Sequence, residues 1–263
     1  MRYSSIKLGR LGATLALLGL AATTQAATVQ VQVTVQNLVP ANGIAFAPLH
    51  LGFHSGSFDA FNLGQSANTA IQSVAEGGQG GAWQAAFALA DPGATRGTVG
   101  GLLLAGQTQT QSFMVDTASN PFFTFASMVV PSNDFFIGND SPTQYRLFDS
   151  AGHLQISSIT QKARQIWDAG SEVFDPAAAA FVGNNSLRSD QHGVVNFNFA
   201  ELAGFNGLTT GAGYVFHSGL SYDQDVYRIS FSAAAVPEPQ SYALLAAGLL
   251  LMGGIVRRRQ SKA

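Results

Sequence analysis

The chain contains no cysteine. This absence excludes thiol nucleophiles, thiolate zinc sites and haem attachment through cysteine, and it means that the folded domain must be held together by its hydrophobic core without disulfides. Charged residues are also scarce, at 11% of the 263 positions. The low charge does not predict disorder, because an apolar fraction of 46% can fill a core.

Neither end of the chain carries the roughly 20 consecutive apolar residues that a comfortable membrane-spanning helix needs. The N-terminal end instead combines basic residues (Arg2, Lys7 and Arg10) with a short apolar run over residues 11–22 and small residues up to Ala26. This is the layout of a secretory signal peptide. We therefore predict a signal peptide over residues 1–26, cleaved after Ala26, and an exported protein.

The C-terminal end shows three ordered elements. Val236-Pro237-Glu238-Pro239 is followed by an apolar segment over residues 241–256 and then by Arg257, Arg258 and Arg259. The segment predicts a short hydrophobic helix that would span only a thin or locally thinned membrane, with the arginines on the cytoplasmic side.

This tail, over residues 236–263, resembles the PEP-CTERM sorting signal. The resemblance implies a precursor that the C-terminal helix anchors transiently in the inner membrane. It further implies recognition by an exosortase, cleavage near Pro237-Glu238-Pro239 and release to the cell surface or the extracellular space. It also implies a Gram-negative source that makes exopolysaccharide.

The remaining core, residues 27–235, is acidic. It holds six basic and fourteen acidic residues, a net charge near −8, although the whole chain is at −2. An acidic domain repels phosphate backbones, so nucleic acid is not expected as a partner. A core of about 210 residues is the size of one large β domain.

Alternating apolar and polar residues predict strands along most of this core. Residues 28–39 alternate with a period of two, and residues 122–131 form an apolar run typical of a central strand buried on both faces. Short helices are predicted over residues 69–76 and 82–89, and residues 46–64 are predicted to be loop-like. Further strands are predicted over residues 109–116, 144–149, 154–158, 194–199 and 226–232. The sequence thus predicts an all-β protein: an antiparallel β-sandwich of seven or eight strands with short helices in loops, plus the C-terminal hydrophobic helix.

Acidic residues follow two of the apolar segments. Asp134 comes after the most apolar predicted strand, and Asp168 and Glu172 lie in a predicted turn after Trp167. Oxygen ligands gathered from several loops are what Ca²⁺ requires. Spacing alone leaves a second interpretation open, since Asp and Asn at strand ends often only form turns.

Ordered motifs along the core give a family resemblance. The motifs are Val33-Thr34-Val35-Gln36-Asn37-Leu38, Phe46-Ala47-Pro48-Leu49-His50 with Ser57-Phe58-Asp59-Ala60-Phe61-Asn62-Leu63-Gly64, Ala75-Glu76-Gly77-Gly78, Ser127-Met128-Val129-Val130-Pro131-Ser132-Asn133-Asp134-Phe135-Phe136 and Asp168-Ala169-Gly170-Ser171-Glu172. In this order they resemble a bacterial spondin domain, similar to the N-terminal domain of F-spondin and mindin, from about residue 28 to residue 233.

The resemblance implies a C2-like, spondin-type sandwich with a divalent-cation site, expected to be Ca²⁺, and a role in adhesion. Matched by motif, Asp134 and Asp168 are the first candidate ligands, Glu172 is the next, and Glu76 is weaker. Ser171 stands where the motif would have threonine. The animal relatives carry cysteines and further modules that this chain lacks, so their binding partners do not transfer.

The function expected from these features is that of a non-enzymatic surface or extracellular-matrix protein that acts in adhesion or biofilm association. Its expected partner is extracellular matrix or polysaccharide. The alternative is a secreted hydrolase of exopolysaccharide that uses Asp134 and Asp168 as acid and base, about 5–10 Å apart. His50 and His54 are spaced as zinc-binding histidines are on a helix, but Pro48 and Gly52 argue against a helix there, and a structural role is favoured.

Overall fold

The computed structural model describes residues 28–236 and the pair 248–249. The predicted signal peptide and nearly all of the predicted sorting segment, including its apolar helix, lie outside the described residues. Within the described part of the chain, no helix combines the length and the apolar character needed to cross a membrane.

The described residues are mostly β. The strands are β1 (Thr28–Asn37), β2 (Ala45–Phe46), β3 (Leu49–His54), β4 (Thr95–Val99), β5 (Thr108–Asp116), β6 (Phe122–Val130), β7 (Phe135–Gly138), β8 (Tyr145–Arg146), β9 (Ser158–Lys162), β10 (Trp167–Asp168), β11 (Asn196–Phe197) and β12 (Asp225–Ala235). The helices are α1 (Thr69–Gly77) and α2 (Gly81–Ala90), with 3-10 turns over Ala163–Gln165, Asn185–Leu187 and Phe199–Phe205.

One sheet has four antiparallel strands in the order β5-β1-β12-β9. Its central strand β1 follows the predicted alternation, with its valines buried and Gln30 and Gln32 exposed. The valine face is buried because it packs toward the second sheet, where it removes apolar surface from water. The predicted period-2 strand is confirmed.

The other sheet is larger and also antiparallel. Its main path runs β11-β10-β7-β6-β3-β4, and β2 and β8 pair with β6 beside that path. Strand β6 lies at its centre and is buried along nearly its whole length, as its apolar sequence predicts. One hydrophobic cluster joins residues of both sheets, among them Val33, Phe123 and Ile229. The two-sheet arrangement is consistent with the predicted β-sandwich.

Helices α1 and α2 cover the outer face of the larger sheet. They contribute Ile71, Val74, Trp83 and Phe87 to a second hydrophobic cluster. This packing explains Gly52 in β3, because a Cβ atom there would lie 2.2 Å from the Phe87 ring. Both helices start within a residue of the predicted positions.

Residues 46–64 are not a loop throughout, so that prediction is wrong in part. Strand β3 occupies Leu49–His54 and is buried at all six positions. A strand covered on both faces has no polar face, and therefore it does not show the alternation on which the prediction depended. The prediction that His50 and His54 do not lie on a helix is confirmed.

Several short strands differ from the predicted ones. The sequence does not predict strands β2, β4, β7, β9 and β10, because their two to five residues are too short to show a period. The strand predicted over residues 194–199 is reduced to Asn196–Phe197. Of the strands predicted over residues 144–149 and 154–158, the first is reduced to Tyr145–Arg146, and an isolated bridge between Phe148 and Leu154 joins the two segments.

Candidate functional site: an acidic cavity at the edge of the larger sheet

Asp134 is held in the turn between β6 and β7. It is buried, with 2% of its surface exposed. Its Oδ2 accepts three hydrogen bonds, from the Ser171 backbone N–H at 2.7 Å, the Ser171 hydroxyl at 3.2 Å and the Glu172 backbone N–H at 3.0 Å. This carboxylate therefore ties the turn after β6 to the segment that follows β10.

Asp168 is brought beside this turn by strand pairing. It ends β10, where it faces Phe135 of β7 in the antiparallel register. Its Oδ1 accepts from the Gly170 backbone N–H at 2.7 Å, and its Oδ2 accepts from Asn198 Nδ2 at 3.1 Å. Gly170 has a φ of +64°, and a Cβ there would lie 2.7 Å from the backbone nitrogen of Val194, so this turn requires glycine.

Glu172 has the most unusual environment of the predicted residues. Its side chain is 1% exposed, and its Oε1 accepts from Arg188 at 3.1 Å. Its Oε2 is buried and has no hydrogen-bond partner among the described residues. A buried carboxylate oxygen without a partner carries its full desolvation cost, so it marks a position where a ligand would be stabilising.

Glu76 lies near the end of α1, on the other side of Arg188. Its Oε2 is 3.2 Å from the Arg188 guanidinium. It lines a separate, open pocket of about 630 Å³ together with Asn185, Ser186 and Arg188. The structure thus connects Glu76 to Glu172 through a shared arginine and places it outside the cavity that the other three candidates line.

Asp134, Asp168 and Glu172 line one small cavity of about 190 Å³. The cavity lies at the edge of the larger sheet, beyond β7, β10 and β11, and its wall is mainly polar. The other lining residues are Asn133, Phe135, Phe174, Gln191, Asn196, Asn198, Glu201 and Phe205.

The electrostatics of this cavity penalise negative charge. Burial and, second, the Asp168 charge raise the pKa of Asp134 to about 6, against the opposing effect of the hydrogen bonds from Glu172 and Ser171. Burial and the Glu76 charge raise the pKa of Glu172 to about 7, against the opposing effect of Arg188. Carboxyls whose ionised form is costly are the groups that a bound cation would relieve.

Glu201 belongs to this cavity although sequence reasoning did not select it. Asn198 Nδ2 donates both to Asp168 and to Glu201 Oε2, the latter at 3.0 Å. Burial, followed by the Asp168 charge, raises the pKa of Glu201. No local signal separates Glu201 from other acidic residues, because it reaches the cavity only through the fold of the segment after β11.

The cavity contains the donor chemistry for Ca²⁺ but not an assembled set of ligands. Carboxylate and amide oxygens are the hard ligands that Ca²⁺ prefers, and the unpartnered Glu172 Oε2 fits a cation. Within residues 28–236, however, no three His, Asp or Glu side chains stand close enough together to hold a metal ion as they are placed. Ligation would require the carboxylates to move closer together.

The histidines have structural roles. His50 Nε2 lies 3.1 Å from the Gly78 carbonyl and therefore donates to it, while Nδ1 accepts from Thr98 at 3.2 Å. His54 Nδ1 accepts from the Gly56 N–H, so Nε2 donates to the Thr124 hydroxyl. Burial lowers the pKa of His54 to about 4, which keeps the ring neutral inside the sheet.

Comparison with known proteins adds no relative. No protein-family model matches this chain, and no curated protein matches it. The class that the structure defines is a mostly β protein of two antiparallel sheets with an acidic cavity at one sheet edge.

Proposed function

We propose that this protein is an exported, non-enzymatic surface or extracellular-matrix protein whose C2-like, spondin-type sandwich binds Ca²⁺ in the acidic cavity. The observation that carries the proposal is made at Glu172, a residue that lines the cavity and whose buried Oε2 has no hydrogen-bond partner in the part of the chain that the structure describes. The raised pKa values of Asp134 and Glu172 support it, because they record the repulsion and desolvation that a cation would offset.

In this proposal Asp134, Asp168 and Glu172 hold the ion. Glu172 would use Oε2, because its Oε1 is engaged by Arg188. Glu201 and the cavity-lining amides are available to complete the shell. Bound calcium would fix the turn after β6 to the segments that follow β10 and β11, which is a structural role and not a catalytic one.

The shape of the cavity favours a structural role for these residues over the hydrolase alternative. A polymer-cleaving enzyme needs a long cleft beside its two carboxyls, and the cavity that Asp134 and Asp168 both line measures about 190 Å³. Asp134 Oδ2 also accepts three hydrogen bonds, which give this carboxylate a structural role.

Direct calcium binding tests the proposal. Equilibrium dialysis of the purified protein against ⁴⁵Ca²⁺ at pH 7.5 should show about one bound ion per chain, because the cavity offers one set of oxygen ligands. Asp134→Asn and Glu172→Gln should lose most of that binding. Asp116→Asn is the matched control, because Asp116 caps a turn through Ala118 and Ser119 away from the cavity. No retained calcium in the wild type, or equal retention in all variants, contradicts the proposal.

Export and sorting are proposed from the two ends of the chain. The precursor would be tethered to the inner membrane by the tail until an exosortase cleaves it, and the mature domain would then associate with matrix or polysaccharide at the cell surface. The proposal is supported by the signal-peptide layout and by the Pro-Glu-Pro motif followed by an apolar segment and arginines.

Replacement of Pro237-Glu238-Pro239 by alanines should block this processing. In the native host, immunoblots of membrane and extracellular fractions should then show full-length precursor accumulating in the membrane, because the cleavage motif is gone while the apolar segment remains. A variant with Ser241→Ala alone is the control and should be processed normally. Normal release of the triple-alanine variant would show that the tail is not a sorting signal.

A further inference from the structure

A second site lies beside the acidic cavity, on the opposite side of the segment that carries β11. Two adjoining pockets of about 490 and 260 Å³ share Gln165 and Phe197 in their walls. We refer to them together as the ring groove. Asn196 lines the acidic cavity, Phe199 lines the ring groove, and Asn198 lines both.

Aromatic rings form the floor and one wall of the ring groove. Phe197 is 47% exposed and stacks on the buried Trp167 ring, with 3.9 Å between centroids and an interplanar angle of 26°. Tyr222 is 61% exposed, and its ring lies 6.2 Å from that of Phe199. Large rings left partly open beside one another mark a binding surface more often than scattered apolar residues do.

The alternation of residues 194–199 also supports a binding role for Phe197. An alternating apolar face normally turns into the core, and Val195 does so. Phe197 instead remains half open although it stands on the same face of the pattern. A departure from the pattern at one position is expected where a residue serves binding and not packing.

Amide side chains border these rings. The two pockets are lined by Gln144, Gln161, Gln165 and Asn198, and an amide side chain carries both donors and acceptors. Gln161 is buried and donates to Tyr145, and the Asn198 nitrogen donates to Asp168 and Glu201, so Gln144 and Gln165 are the amides whose donors are free in the described part of the chain. Gln165 uses its Oε1 on the Lys162 backbone N–H, and among the described residues its amide nitrogen has no partner.

The charged side chains in the ring groove already have protein partners. Arg164 forms an ion pair with Asp223 and lies 5.5 Å over the Tyr222 ring, and the Asp140 Oδ1 accepts from the Leu63 backbone N–H at 3.1 Å. Residues 27–235 carry a net charge near −8, so the surface has no cationic excess that would attract an anionic polymer. The ligand that suits this groove is uncharged.

We propose that the ring groove binds an uncharged polysaccharide, with sugar rings stacked on Phe197 and Tyr222 and hydroxyl groups hydrogen-bonded to the bordering amides. A pyranose ring has a face of C–H groups that packs on an aromatic ring and a rim of hydroxyls that both donate and accept. The exposed rings and the amide border match these two requirements. This inference deepens the matrix-association part of the proposed function and rests on it, but it does not depend on calcium.

Native affinity electrophoresis tests this assignment. The purified full chain is run through gels containing laminarin, dextran or galactomannan as uncharged probes and alginate as the anionic probe. We expect retardation by at least one uncharged probe and none by alginate. Tyr222→Ala and Phe197→Ala should each weaken the binding by about three- to tenfold, as expected for the loss of one stacked ring.

Two further variants show whether the rings themselves are responsible. Tyr222→Phe keeps the ring and should retain the retardation. Met114→Ala removes an exposed apolar side chain from β5 on the other sheet and should behave as wild type. Circular dichroism checks that Phe197→Ala remains folded, and Tyr222→Ala provides the same test at a position that is mostly exposed.

The possible results distinguish an uncharged polysaccharide from other occupants of the ring groove, and they distinguish this proposal from the proposed calcium site. Absence of retardation by all three uncharged probes, or retardation that Tyr222→Ala and Phe197→Ala leave unchanged, overturns the proposal. Retardation by alginate alone overturns it as well. A wild-type dimer in analytical ultracentrifugation that Tyr222→Ala dissociates would assign the groove to a second copy of the chain instead. The gels with uncharged probes are run both with CaCl₂ and with EDTA, and the alginate gel is run with EDTA alone because Ca²⁺ cross-links alginate. Since ring dependence is the readout, failure here is distinct from failure of calcium binding.

Discussion

Calcium should raise the melting temperature of this protein by about 5–10 °C when its concentration is a hundredfold above the dissociation constant. A ligand that binds only the folded state adds about 2.7 kcal/mol at that excess, and each kcal/mol moves the midpoint of a domain of this size by about 2–4 °C. Differential scanning fluorimetry with CaCl₂ against EDTA measures the shift. Mg²⁺ should give a smaller one, because it demands tighter octahedral geometry and gives up its waters reluctantly.

Asn variants distinguish a cation ligand from a turn cap better than Ala variants do. Asp134→Ala would leave the Ser171 and Glu172 backbone N–H groups unpaired whether or not calcium binds there. Asp134→Asn keeps an acceptor for these groups and removes the charge. We therefore expect Asp134→Asn to be at least as stable as wild type in EDTA and to gain little from calcium.

Asp168→Asn should likewise lose most of the calcium shift, and the turn-capping Asp116→Asn should keep it. If Asp134 serves only the turn, wild type and Asp134→Asn will respond equally to chelator. That result, or no chelator effect on either protein, would remove the metal site while leaving the fold as described.

Without calcium, the acidic cavity should make stability fall as the pH rises. In the folded state the pKa values of Asp134 and Glu172 are raised to about 6 and about 7. Above the ordinary carboxyl pKa, and up to these raised values, the native state therefore binds more protons than the unfolded state. The free energy of unfolding then decreases with increasing pH, and the loss is complete once the pH exceeds the folded values.

His54 works in the opposite direction, because its lowered pKa of about 4 makes the neutral native state more stable as the pH rises toward the ordinary value. The test therefore compares the free energy of unfolding of wild type with that of a variant that keeps His54, so that the contribution of His54 cancels. Urea unfolding in EDTA should show the Asp134→Asn, Glu172→Gln double variant gaining about 2–4 kcal/mol on wild type between pH 5 and 8. A difference that does not change with pH would contradict the raised pKa values.

Calcium should reverse this dependence in the wild type. The ion binds ionised carboxylates, so protonation competes with it, and the calcium-induced shift in melting temperature should shrink below about pH 6. The double variant should show no such trend, since it lacks the two carboxyls that titrate in this range.

The long strands and the helices could be predicted because their signals are local. The valines of β1 alternate with glutamines, β6 is one apolar run, and α1 and α2 are bounded by glycines and by Asn68, whose side chain accepts from the Ile71 N–H. The short strands β7, β9 and β10 could not be predicted, since a strand of two to five residues is defined by its partners and not by its own pattern.

By itself, the sequence determined the β class, the net negative charge of residues 27–235 and the positions of Asp134 and Asp168 after apolar segments. Only the tertiary structure decided that Asp168 faces Phe135 across a strand pair, that Glu172 is buried beside Arg188, and that residues near 198–201 close the acidic cavity. It also decided that Phe197 remains half exposed over Trp167. The physical reason is that strand register and burial depend on contacts between residues far apart in the chain, whereas periodicity and turn chemistry depend only on neighbours.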